Sequence, residues 1–149
     1  MTSTITASTL TITVQEQISL KGEEQGTKNV KTIASINEVI KRIVTVTTTK
    51  ATVLTTGAAV AQGQVILTDI KYIRFTNLDD TNFIILELLD TSGDVVNHKL
   101  EAGCSFMVFN DDIECFANGS AFSAFSQWDT VTADADTASC DLEMFIASA

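Results

Sequence analysis

The chain begins with a strict alternation. Leu10, Ile12 and Val14 are apolar, Thr9, Thr11 and Thr13 between them are polar, and Ile18 with Leu20 resumes the pattern after a break. A period of two sends alternate side chains to opposite faces, so this segment is expected as a β-strand with one apolar face. Residues 22–29 are polar and charged with two glycines, and are expected as a loop. Val30, Ile33, Ile36, Ile40 and Ile43 then recur at intervals of three and four, and Ser35 with Glu38 has the spacing of a capping box. Against a helix stands the β-branched run Ile43-Val44-Thr45-Val46-Thr47. Such residues are stiff at χ1 and make poor helices. The expectation is an extended segment with one helical turn at most.

Beyond residue 50 the pattern is regular. Short apolar runs fall at 53–55, 64–67, 72–77, 83–89, 95–100, 105–110, 113–117, 121–125 and 142–146. Turn-forming residues separate them, among them Gly57, Gly63, Asn77-Leu78-Asp79-Asp80, Thr91-Ser92-Gly93-Asp94 and Glu101-Ala102-Gly103. Regular short strands with this punctuation imply an all-β, jelly-roll-like sandwich rather than a βαβ fold. The division expected is an N-terminal strand or arm over 1–20 and a single sandwich domain over 21–149. Phenylalanines at 106, 109, 116, 122, 125 and 145 are expected to supply much of the core.

Composition agrees. The 149 residues suit one domain, 45% are hydrophobic, and only 19% are charged, with threonine filling the difference. The formal net charge of −10 argues against nucleic acid, which needs clustered Lys and Arg. The charge is uneven. Through Phe75 there are eight basic and five acidic residues, whereas beyond it Lys99 stands alone against fourteen acids. Such asymmetry belongs either to complementary surfaces on neighbouring subunits or to one domain in which strands from both halves interleave and the charges mix. The second reading is preferred.

No membrane partner is expected, since the strongest apolar run, 83–89, is far short of a span and is interrupted by Glu87. The opening Met1-Thr2-Ser3-Thr4-Ile5 lacks the basic and apolar regions of a secretion signal. Cys104, Cys115 and Cys140 match no zinc spacing and are expected to remain thiols in a reducing cytoplasm.

Catalytic chemistry is hard to assemble from these residues. His98 is the single histidine, no serine sits in a Gly-x-Ser-x-Gly elbow, and one histidine cannot supply a cupin-like metal site. His98 is expected as a solvated surface residue, and Cys104 has no activating neighbour. Asp79-Asp80, Asp111-Asp112 and Asp134-Ala135-Asp136 could offer oxygen ligands to calcium, yet none fits an EF-hand loop. Aspartates in turns more often accept hydrogen bonds from their own backbone. Asn118-Gly119-Ser120 is read as a turn. No enzyme, no metal and no cofactor is therefore expected.

Two stretches carry a resemblance. Lys31-Thr32-Ile33-Ala34-Ser35-Ile36-Asn37-Glu38-Val39 with Arg42-Ile43-Val44 resembles the early part of small virion proteins of tailed phages. Tyr72-Ile73-Arg74-Phe75-Thr76-Asn77-Leu78-Asp79-Asp80-Thr81-Asn82-Phe83 resembles their central hairpin, and Leu100-Glu101-Ala102-Gly103 before Phe106 is similar to a turn that follows it. The resemblance implies a jelly-roll-like fold, no catalytic residues, and a place on the outer surface of the head as a decoration (cement) protein. Its partners would be the major capsid protein and further copies of itself, as trimers or dimers. A tail or neck component is the alternative within the particle. A carbohydrate- or receptor-binding sandwich, with Trp128 and Tyr72 as stacking platforms, is the alternative outside that class. The interface residues expected are Leu10, Ile12 and Val14, because a terminal strand can leave its own sheet and pair with a neighbour.

Overall fold

A computed structural model of the protein describes residues 5–91, 93–109 and 128–149. The runs expected at 113–117 and 121–125, the Asp111-Asp112 pair, the Asn118-Gly119-Ser120 turn and Cys115 lie outside the described residues.

The body is an all-β sandwich of two packed sheets. Its strands in chain order are β5 (Glu38–Val46), β6 (Ala51–Gly57), β7 (Gln64–Ile66), β8 (Ile70–Asn77), β9 (Ile84–Asp90), β10 (Val95–Leu100), β11 (Ser105–Val108), β12 (Trp128–Ala135) and β13 (Cys140–Ser148). Four strands, β1 (Ser8–Gln15), β2 (Ser19–Leu20), β3 (Glu23–Glu24) and β4 (Lys28–Ile36), precede it. One sheet runs β10-β9-β12-β6-β7 and the other β11-β8-β13-β5.

The antiparallel partners are nested. β5 pairs with β13, β6 with β12, β8 with β11, and β9 with β10. First is joined to last, second to next-to-last, and so inward, which is a long hairpin rolled up: the jelly-roll arrangement. Short β7 lies parallel to β6 as an added edge.

The core follows from alternation. In β9, Ile84, Leu86 and Leu88 face the opposite sheet, and in β8 Ile73 and Phe75 do the same. Leu142, Met144 and Ile146 of β13 complete the facing layer. Each large side chain taken fully out of water contributes about 1.5–3 kcal/mol. β12 was not foreseen in the sequence. Its inward positions are Val131, Ala133 and Ala135, all buried, while Thr130, Thr132 and Asp134 alternate with them. Small alanines among threonines and acids make a weak apolar signal, although the period is two.

The helical spacing of Val30 to Ile43 has a different cause. β4 and β5 are both strands, separated by Asn37 alone. The β1–β4 register shifts between Ser8 and Leu10, opposite Ile36 and Ile33, so β4 carries a bulge there. Ser35 sits in that bulge at φ 62°. The extra residue shifts the phase of alternation between Ile33 and Ile36, whereas the step of three from Ile40 to Ile43 joins an inward residue to an outward one on an unbroken strand.

The charges mix across the sequence halves. Lys41 and Arg74, from the basic half, both reach Glu143, and Lys50 reaches Glu87 at 2.7 Å. Interleaved pairing of early strands with late ones places them side by side.

Candidate assembly surface

Of the segment expected as an arm over 1–20, residues 8–20 form one leg of a hairpin that returns through β4 to Ile36. Residues 22–29, expected as a loop, hold the second turn residue and the first part of the return leg. Ser19 faces Glu24 and Leu20 faces Glu23, leaving Lys21-Gly22 as a two-residue turn at φ 53° and 85°. Two successive left-handed residues give the turn whose twist matches the flanking strands, and glycine takes the second position without strain. Among the described residues β1 and β4 form a two-stranded sheet of their own and add no strand to either sheet of the roll.

The hairpin's base lies on the outer face of the four-stranded sheet. Ile12 and Ile36 are buried there with Tyr72 and Ala147, and Leu10, Val14, Ile33 and Phe145 pack around them half-buried. Leu10, Ile12 and Val14 thus share one face, and that face is turned toward the chain's own sheet. Tyr72 and Phe145 meet edge to face with ring centroids 5.9 Å apart. Burial pushes the Tyr72 phenol above its ordinary range, against the opposing pull of the nearby Arg74 guanidinium.

An open groove of about 290 Å³ lies between β1 and the sheet, lined by Leu10, Ile12, Tyr72, Arg74, Met107 and Phe145. Beside it runs a polar row on the sheet. Arg74 donates to Glu143 and to Thr76, Lys41 lies 3.4 Å from Glu143, and Thr76 shares a hydrogen bond of 2.8 Å with Ser105. The hydrogen bond from Arg74, supported by Lys41, holds the Glu143 carboxyl below the ordinary carboxylate range.

Apolar surface continues outward from this contact. Val39 and Ile43 of β5 are more than half exposed at 53% and 55%, on the same outer face as Tyr72. Val30 of β4 and Ile18 and Leu20 near the hairpin tip are exposed as well. Among the described residues β5 is paired on one side only, through β13, so it is an edge of its sheet. Lys41 beside Val39 and Ile43 gives that edge a charge, a common device against indiscriminate strand pairing.

The residues weighed for chemistry lie apart from this surface or are used structurally. His98 is not simply solvated: it is half-buried at the margin of the sandwich, its ring 4.6 Å from that of Phe106. Its place directly opposite buried Leu86 explains this, since residues facing each other across a ladder share a side of the sheet. Asp79 accepts backbone hydrogen bonds from Thr81 and Asn82 at 2.8 and 2.6 Å, and these bonds lower its pKa. Asp80 accepts the Thr81 hydroxyl. Asp134 belongs to β12, whereas Asp136 lies beyond that strand's end. Cys104 is exposed and Cys140 buried, and burial, with lesser contributions from Asp79, Asp136 and Asp141, raises the Cys140 thiol. Among the described residues no group of three or more His, Cys, Asp or Glu is placed to hold a metal ion. No helix among them is long and apolar enough to cross a membrane. Tyr72, considered above as a sugar-stacking platform, is covered by the arm.

No protein-family model matches the chain, and no curated protein does. Among solved structures it is similar to a chain described by the words "Bacillus endospore appendages form a novel family of disulfide-linked pili". The identity is 14%, with 93% of this chain and 89% of that chain covered, at a TM-score of 0.42.

Proposed function

We propose that the protein is a structural subunit that works by assembling, as a decoration protein on the outer surface of a tailed-phage head. In this reading it is made in the host cytoplasm and binds the major capsid protein and further copies of itself. A place in the tail or neck is the alternative within the same particle.

One observation carries the assembly reading. The β1–β4 hairpin stands outside both sheets of the roll and presents exposed Ile18, Leu20 and Val30, and the β5 edge of the four-stranded sheet carries exposed Val39 and Ile43. Apolar side chains scattered singly over a surface need no explanation, but an apolar ribbon outside the sheets, together with an apolar sheet edge paired on one side only, suits a subunit contact. The resemblance of residues 31–39 with 42–44, and of 72–83, to small virion proteins supports the phage assignment. The negative net charge suits an outer position away from packaged DNA.

Light scattering on the purified protein, and co-sedimentation with tailed-phage heads stripped of decoration, test this. Self-association or saturable head binding, lost when residues 1–36 are deleted, is the expected result. A chain that stays monomeric at high concentration and ignores the heads would overturn it.

A further inference from the structure

Leu10, Ile12 and Val14 are already engaged with the chain's own Tyr72, Phe145 and Ala147. A neighbouring subunit can therefore use that apolar face only if the arm first leaves its own sheet. We infer that the arm is exchangeable: in the assembled state the β1–β4 hairpin of one copy closes over the Tyr72–Phe145 face of a second copy. This rests on the assembly reading above and specifies its contact.

Three features of the junction point to exchange. First, β4 and β5 are separated by Asn37 alone, so arm and roll are joined by what is nearly one strand. Second, β4 is bulged at Ser35, two residues before the junction. A bulged strand bends and twists more sharply. Ser35 holds a left-handed φ of 62°, a conformation that side-chain-bearing residues visit at a cost and glycine does not. Straightening the strand here removes that cost and carries the arm away from its own face. Third, the contact that closes the arm is small. Four buried residues form its core, and an open groove of about 290 Å³ flanks β1.

The receiving face needs no redesign. The arm of a second copy presents the same Leu10, Ile12 and Val14 to the same Tyr72, Ala147 and Phe145, so the apolar contacts of β1 are recovered, while Ile36, on the roll side of the bulge, keeps its place. Exchange of an identical element between copies is a low-cost route to an oligomer for this reason. Asn37, whose amide donates to the Ser148 carbonyl at 2.9 Å, anchors β5 while the arm moves.

The test compares wild type, Ser35→Gly and Ser35→Val, each unfolded and refolded at high and low chain concentration. Dimer content is read by size-exclusion chromatography with light scattering. Glycine tolerates the bent form and should reduce the dimer several-fold, whereas valine tolerates it least and should raise the dimer several-fold. A second measurement leaves Ser35 untouched: Ile12→Asp chains, with a damaged arm, are co-refolded with Phe145→Asp chains, with a damaged receiving face. Each alone should stay monomeric, while the mixture should give mixed dimers, because one intact arm then meets one intact face. Equal dimer content across the Ser35 series with no rescue in the mixture would overturn exchange and leave assembly by another surface standing. Absence of any oligomer in wild type would overturn both.

Discussion

The side-chain amide of Asn77 donates to the backbone carbonyl of Leu100 at 3.1 Å, tying the end of β8 to the end of β10 in the opposite sheet. The same amide donates to the Asn82 carbonyl at 2.8 Å, and its oxygen accepts the Asp79 N–H at 3.0 Å. Asn77 is fully buried, so these bonds satisfy groups that water cannot reach. Replacing Asn77 by alanine strips two carbonyls and one N–H of their partner. The expected loss is about 2–3 kcal/mol in urea-induced unfolding, as for other buried groups left unsatisfied. A loss under about 0.5 kcal/mol would show that water or backbone adjustment replaces the amide.

Tyr72 is the chain's single tyrosine, which gives the arm a private reporter. Its phenol titrates above the ordinary value because it is buried against Phe145 and the arm. Deleting residues 1–36 should bring the titration, followed by phenolate absorbance, back toward about 10. The sign for stability follows. A group whose folded pKa is raised keeps its full contribution below the unfolded pKa and loses it as pH rises through the folded one. Wild-type stability should therefore decline above about pH 10, more steeply than that of the deletion variant. An unchanged Tyr72 titration on deletion would mean that the sheet, not the arm, sets its environment.

Acid should act through Glu143 and Asp79. Both carboxyls are held below their ordinary range, Glu143 by Arg74 and Asp79 by the amides of Asn82 and Thr81. Depressed carboxylates contribute above the unfolded pKa, and the contribution fades as pH falls through the folded value. Melting temperature should thus drop below about pH 4, and Glu143→Gln and Asp79→Asn should each show a shallower drop from a lower starting point at neutral pH. Parallel curves for wild type and both variants would remove these groups from the account.

The two described thiols should part company. Cys104 is exposed and should react with a thiol reagent within the mixing time scale of a surface cysteine. Cys140 is 1% exposed and its thiolate is disfavoured by burial, so it should react only as fast as the chain opens. Cys104→Ser should delete a fast phase that Cys140→Ser leaves intact. Fast labelling in the Cys104→Ser chain that disappears on also replacing Cys140 would contradict the buried assignment.

How much of this was readable in advance depended on where the physical signal lay. β10 is bounded in the sequence as it is in the structure, since Val95 to Leu100 lies between two glycine turns. β12 was invisible as a strand because alanine buries well but advertises nothing. The return leg of the arm was hidden for another reason: Lys21-Gly22 makes a two-residue turn, so the polar stretch after it reads as loop although it pairs residue by residue with the strand before. The apolar face of Leu10, Ile12 and Val14 was legible, but what it touches was not. Tyr72 and Phe145 are remote in sequence, and only the direct pairing of β8 with β13 in the rolled-up sheet brings them together beneath the arm.

That nesting also fixes an order of events during folding. Glu38 and Ser148, 110 positions apart, are neighbours across β5 and β13. Loop closure between such distant segments must precede any return from their contact, which makes folding slow for a chain this size. On the ribosome β5 therefore emerges long before its partner, with Ile40, Val44 and Val46 uncovered until the last strand is released. The hairpin ahead of it has no such wait, because its two legs are local. A newly made chain would first hold a finished arm beside an unfinished roll, and crowding of nascent chains at that stage is when copies have the best chance to exchange.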